Sequence, residues 1–180
     1  MILIEKTHLE DLVIIHLQAH RDSRGSFHEA FNFHELAQHR RTIRIDQVNV
    51  SMSIEAGTVR GMHWQDVPFA QTKIVRCTHG EIQDVVVDVR PESPTYGQYK
   101  SIWMKAEDLQ AVFIPHGFAH GWQALKDCSQ IEYFTSGLWN KEAERGLQPE
   151  DPDVAITWAK PVVNLNPRDA SWPLFRNIPR

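Results

Sequence analysis

Apolar residues recur at every second position in short runs along this chain, and turn-forming residues separate the runs. "DLVIIHL", "VNVSMSI", "KIVRCTHG", "EIQDVVVDVR", "YKSIWMKA", "LQAVFIP" and "SQIEYFTSG" each have the length and period of a β-strand. Between them "DSRG", "EAG", "THGE", "RPESPTYG" and "IPHGFAHG" carry the Gly, Pro, Asp and Ser of chain reversals. Helical signals are few: "FNFHELAQHR" has Phe33, Leu36 and Ala37 at helical spacing, and "NKEAERGL" predicts a turn or two of helix ending at Gly146. From Asp151 onward Pro152, Pro161, Pro167, Pro173 and Pro179 predict extended chain laid across the body.

A mainly β chain must hide its sheet edges, and a jelly roll does so while leaving a mouth between two sheets. The expected fold is therefore all-β, a jelly roll with a few short helices, as one domain over residues 1–180. An immunoglobulin-like sandwich fits less well, because ionisable residues fall inside several runs. In "EIQDVVVDVR", Ile82, Asp84, Val86 and Asp88 share one face and Gln83, Val85, Val87 and Val89 the other. An acid on so apolar a strand needs a partner.

Composition narrows the function class. With 42% hydrophobic and 23% charged residues and a formal charge of −4, the chain lacks the basic surface that nucleic acid requires. No run approaches the length of a membrane span, and "MILIEKTHLEDLVIIHL" lacks the basic region and cleavage site of a secretory signal. The expectation is a cytoplasmic protein with neither membrane nor nucleic-acid partners. Cys77 and Cys128 have no metal-binding spacing and suit a reducing compartment.

Candidate chemistry starts at "VRGMHWQ". A regular strand would send Gly61, His63 and Gln65 one way and Arg60, Met62 and Trp64 the other; for Arg60 and His63 to share a pocket a bulge is needed, and Gly61 is where it fits. With Arg60, Gln65 and Lys73 as company, His63 reads as functional, since lysine is rarely buried without a paired role. "DSRGSFHEAF" adds Arg24, Phe27 and Glu29 around a turn, and "DQVNVS" adds Gln47 and Asn49 on one strand face. "IPHGFAHGW" carries the P-x-G-x-x-H spacing, Pro115, Gly117 and His120, of the second cupin signature. The first cupin signature is incomplete: His63 is followed by Trp64 and Gln65, so only His63 and His120 stand where ligands belong. A catalytic metal site takes three, so no cofactor is expected and a metal-dependent dioxygenase or isomerase is the minority reading.

Taken together, "RDSRGSFHEAF", "QVNVS", "VRGMHWQ", "AQTKIVRCTHGEIQDVVVDVRPESPTYGQY", "IPHGFAHGW", "DPDVAITW" and "NPRDASWP" resemble the dTDP-4-dehydrorhamnose 3,5-epimerase family in order and spacing over nearly the whole chain. The resemblance implies a cupin-type jelly roll, a homodimer and a metal-free site for a nucleotide-diphosphate sugar. By motif position it makes His63 the general base, Tyr133 the general acid, Lys73 the group beside the sugar keto oxygen and Asp169 the acid that orients the base. It places Arg24, Glu29, Gln47, Asn49, Arg60, His120, Glu144 and Arg168 on the substrate, Phe27 packed against it, and Asp84 with His120 as a second charged pair.

These residue types suit the chemistry. A proton beside the C4 ketone of a 4-keto-6-deoxyhexose is acidic because its carbanion delocalises as an enolate, which a cation such as Lys73 stabilises. Histidine titrates near neutrality, and a tyrosine phenol is still protonated there and available as a donor on the opposite face. The chain departs from the family at Leu138 and Trp139, where a tandem tyrosine is common, at Thr72 in "AQTK" and at Trp64. Inversion at C3, at C5 or at both therefore stays open, as does the nucleotide base. A 3,4-ketoisomerase and a non-catalytic sugar-binding cupin are the alternatives.

Overall fold

The computed structural model describes residues 2–178; Met1, Pro179 and Arg180 lie outside the described residues. Thirteen strands are present among them: β1 (Ile2–Lys6), β2 (Val13–Leu17), β3 (Ala19–Asp22), β4 (Gly25–His28), β5 (Gln47–Ser53), β6 (Val59–Gln65), β7 (Lys73–His79), β8 (Glu81–Asp88), β9 (Tyr99–Lys105), β10 (Gln110–Ile114), β11 (Phe118–Ala124), β12 (Ser129–Thr135) and β13 (Glu144–Gly146). Six form one antiparallel sheet, β1-β2-β10-β7-β12-β5, and five form a second, β13-β6-β11-β8-β9. This is the jelly roll expected from the alternating runs.

Three apolar clusters explain why some strands are apolar on both faces. Ile82 and Val86 point between the sheets with Val75, Val112, Trp122 and Ile131. On the other face of β8, Val85, Val87 and Val89 pack with Met62, Trp64 and the C-terminal segment through Val154, Ile156, Trp158 and Phe175. Each buried valine there contributes roughly 1.5–3 kcal/mol. On the outer face of the larger sheet, Val13, Ile15, Ile74 and Phe113 are covered by Leu36 of α1 (Phe33–Gln38), whose N-cap Asn32 accepts from the Glu35 amide.

The C-terminal segment runs extended, as its prolines predict, and two buried glutamines hold its backbone. The Gln83 carboxamide donates to the Thr157 carbonyl and accepts from the Ala159 amide, both within 2.9 Å. Gln123 makes the equivalent pair with Lys160 at 2.9 Å each. The segment then bridges in parallel to Thr58 through Val163 and forms one short helix, α2 (Pro167–Ala170).

Two local expectations are corrected. "IPHGFAHG" reverses the chain only before Phe118; from there β11 is a fully buried central strand, although "FAHGWQA" has no β-branched residue. Its pairing with β6 and β8 on both sides overrides weak local propensity. "NKEAERGL" is a turn followed by β13, because Glu144–Gly146 pairs with β6, with Gly146 opposite His63. A Cβ at Gly146 would meet the Trp172 ring at 2.5 Å, so the glycine serves close approach, not a helix end.

Candidate active site

The central feature is a bulge in β6. His63 faces His120 and Arg60 faces Trp122, so three residue steps of β6 span two of β11. One extra residue breaks the alternation. Met62 and Trp64 go to the outer cluster, while Arg60 and His63 both reach the cavity between the sheets. Gly61 adopts φ +115°, and a Cβ there would lie 2.6 Å from Gly121 Cα and 2.7 Å from the His120 carbonyl oxygen. Only glycine accommodates both conditions.

The cavity has two lobes. The larger, about 810 Å³, is lined by Arg60, His63, Lys73, His120, Tyr133 and Asp169 together with residues of β5 and of the segment Asn164–Arg168. The smaller, about 380 Å³, is lined by Gln47, Asn49, Trp139 and Glu144 and again by His63, Lys73 and Tyr133. His63 from β6, Lys73 from β7 and Tyr133 from β12 thus stand where the lobes meet.

His63 is backed by a buried acid. Its Nε2 lies 2.7 Å from Asp169 Oδ1, while Asp169 Oδ2 accepts the Gly61 amide at 3.2 Å. Asp169 is 3% exposed and rides on α2, whose N-cap Asn166 accepts from the Arg168 amide. Burial pushes this carboxyl up, but the bonds from His63 and Gly61 and the nearby charges of His63 and Arg168 outweigh it and hold it below the usual carboxylate value. With the carboxylate on Nε2, the ring's other nitrogen, Nδ1, is left to exchange a proton.

Lys73 is enclosed by the barrel wall. Desolvation pulls its ammonium down to about 8, against the opposing pull of Asp84 and Glu144. Tyr133 is pushed upward by burial, more than the charge of Arg60 pulls it down, so its phenol stays protonated at neutral pH. The arrangement sets a histidine from one sheet against a cation and a neutral phenol from neighbouring strands of the other.

His120 and Asp84 form the second pair at 2.7 Å, both buried, with Asp84 behind His120 and its Oδ1 lacking a hydrogen-bond partner. Arg60 donates to Ser53 Oγ and the Met52 carbonyl, which aims it along the rim. Gln47 donates to Asn49 at 2.9 Å. Arg168 lines the larger lobe but is held by Glu144 at 3.0 Å and stands 3.6 Å from Asp169. Among the described residues no three His, Cys, Asp or Glu side chains converge as metal donors, and both histidines of the site direct Nε2 to carboxylates.

Arg24, Phe27 and Glu29 are not brought to this cavity. They sit on or just after the β3–β4 hairpin, a ribbon that joins neither large sheet, and line separate surface depressions. Arg24 bonds Asp22, Glu29 accepts from Asn32, and Phe27 is 68% exposed. Lining residues that motif reasoning passed over are Ser51 and Ser53, which share the inward face of β5 with Gln47 and Asn49; Trp139, singled out as a departure from the family, lines the smaller lobe. The alternation in "QVNVSMS" already carried the signal for the two serines.

A model of the dTDP-4-dehydrorhamnose 3,5-epimerase family matches residues 6–177. The chain is 40% identical over 159 residues to the dTDP-4-dehydrorhamnose 3,5-epimerase of Sinorhizobium fredii, covering 88% of this chain and 82% of the relative. It is 38% identical to the dTDP-4-dehydrorhamnose 3-epimerase of Streptomyces niveus, over 82% of this chain and 72% of that one. Among solved structures it resembles the dTDP-6-deoxy-D-glucose-3,5-epimerase of Legionella pneumophila in complex with dTDP-4-keto-L-rhamnose, with a TM-score of 0.93, 34% identity and coverage of 99% and 95%.

Proposed function

This chain belongs to the dTDP-4-dehydrorhamnose 3,5-epimerase family and is an epimerase, and from that premise we propose that it inverts C3 and C5 of dTDP-4-dehydro-6-deoxy-D-glucose. The observation that carries the reading is the convergence of Asp169-backed His63, Lys73 and Tyr133 on one cavity between the sheets. His63 removes the proton beside the C4 ketone, and Asp169 holds the ring and stabilises the imidazolium that forms. Lys73 stabilises the enolate oxygen in a desolvated site, where a fixed cation acts strongly. Tyr133 returns a proton to the opposite face.

Arg60, with two of its donors anchored to β5, offers the rest of its guanidinium to the diphosphate. Gln47, Asn49, His120, Glu144 and Arg168 contact the substrate around it, with Asp84 supporting His120.

A homodimer accounts for Arg24, Phe27 and Glu29. Outward-facing Val48, Val50 and Met52 make edge strand β5 apolar on the side away from the cavity, a surface suited to a second copy. The exposed hairpin then completes the partner's site in place of its own. One catalytic domain and a cytoplasmic setting complete the reading; two free cysteines support the latter, and no helix among the described residues is long and apolar enough to cross a membrane.

The test is incubation with dTDP-4-keto-6-deoxy-glucose in deuterium oxide, following the sugar carbons by NMR. Deuterium at C3 and C5 with formation of the L-rhamno product is expected. Deuterium at one carbon alone restricts the enzyme to that centre, and none at either overturns the assignment.

A further inference from the structure

Gln65 follows the base by two positions, is 5% exposed and is accounted for by none of the chemistry above. Its carboxamide donates to the Leu138 carbonyl at 3.3 Å and to the Phe69 carbonyl at 2.7 Å, and accepts the Asn140 amide at 2.6 Å. One side chain therefore grips the peptide groups on either side of Trp139 and ties them to the loop after β6. Gln83 grips the peptides flanking Trp158 in the same way.

The two tryptophans differ in what they meet. Trp158 packs on the outer apolar cluster, and its indole donates to the Pro149 carbonyl at 2.8 Å. Trp139 is 54% exposed and lines the smaller lobe with Lys73, Tyr133 and Glu144. Its loop is clamped at each step. Ser136 exchanges bonds with Thr72, the Gly137 carbonyl accepts from Gln71, and the Gly137 amide donates to Asp46. A half-exposed indole on so firmly held a backbone gains little from its own fold, so the rigidity serves what enters the cavity.

We propose that Gln65 is a positioning residue: it fixes the backbone of Trp139 so that the indole stands as a preformed apolar wall of the substrate cavity. The role rests on the epimerase reading. Gln65 itself borders the smaller lobe, but its amide nitrogen and oxygen are both engaged by backbone, so it acts through Trp139, and its effect is on binding more than on proton transfer.

The test is a double-mutant cycle on the full-length protein, comparing wild type, Gln65→Met, Trp139→Ala and the double variant. With the sugar nucleotide named above, Gln65→Met is expected to raise KM about three- to tenfold, with a smaller fall in kcat. In the Trp139→Ala background the same change is expected to move KM by less than about twofold. An equal KM rise in both backgrounds, or none in either, overturns the proposal. Should Gln65→Met fail to fold, Gln65→Glu keeps the acceptor for Asn140 while losing both donors, and the cycle is read with it. If wild type turns over no sugar nucleotide, the epimerase reading fails separately, and dTDP affinity by calorimetry supplies the same four-way comparison.

Discussion

His63 and Asp169 lie 106 residues apart in sequence and 2.7 Å apart in space. The contact depends on the β6 bulge, which turns His63 toward the cavity and frees the Gly61 amide for the same carboxylate. Replacing Asp169 with Asn leaves shape but removes the charge that orients the ring. A kcat loss of about 10²–10⁴-fold is expected in steady-state assays. The carboxylate's stabilising contribution, present above the usual carboxylate value, is lost as pH falls through its folded value below 3.8. Acid titration of wild type against Asp169→Asn, followed by circular dichroism, should show the difference shrinking in that range.

On the proposed roles, Tyr133→Phe removes the donor and leaves the base. Solvent deuterium should still enter the sugar while product accumulation falls by about 10²-fold or more. Parallel loss of both would place Tyr133 elsewhere in the reaction.

Lys73 links activity and stability with opposite signs. Because burial brings its ammonium to about 8, activity should fall above that pH as the cation is lost. Between about 8 and 10.5 the unfolded chain holds a proton that the folded chain has released, so this group's contribution to stability rises with pH. Lys73→Met should abolish turnover yet raise Tm at pH 7 by roughly 3 °C or more, since 1 kcal/mol is worth about 2–4 °C in a chain of this size.

Gly61→Ala tests the bulge itself. The new Cβ meets backbone at 2.6 and 2.7 Å at a φ of +115°, so a destabilisation of about 3 kcal/mol or more is expected in urea unfolding. Activity should fall with it, because realigning β6 turns His63 away from Asp169.

Subunit mixing tests the proposed homodimer and its exchanged hairpin. His63→Ala and Phe27→Ala homodimers should each be impaired, whereas refolding the two together should create heterodimers with one intact site. About a quarter of wild-type activity is then expected from random pairing. No recovery on mixing would place Phe27 outside the partner's cavity.

Much of this could be read along the chain. Alternation in "VNVSMSI" and "EIQDVVVDVR" placed β5 and β8, and "VRGMHWQ" left two arrangements open, a bulge at Gly61 or Arg60 on the other face, of which the structure has the bulge. β11 and β13 were misread because their conformation comes from neighbours on β6 and β8, which a local window does not contain. The hairpin was harder for a different reason: motif position associates Arg24, Phe27 and Glu29 with a substrate site, and only the fold shows that they lie apart from this chain's cavity.

The sequence by itself determined the strand periods, the β-rich architecture and the inventory of a histidine, a lysine, a tyrosine and an aspartate as candidates, because side-chain direction and chemistry are local properties. The tertiary structure decided which of them share a cavity. His63 meets Asp169 only after the C-terminal segment has crossed the smaller sheet, and Lys73 acquires its lowered proton affinity only when two sheets exclude water from around it. Contact and desolvation are properties of packing between distant segments, and no run of neighbouring residues contains them.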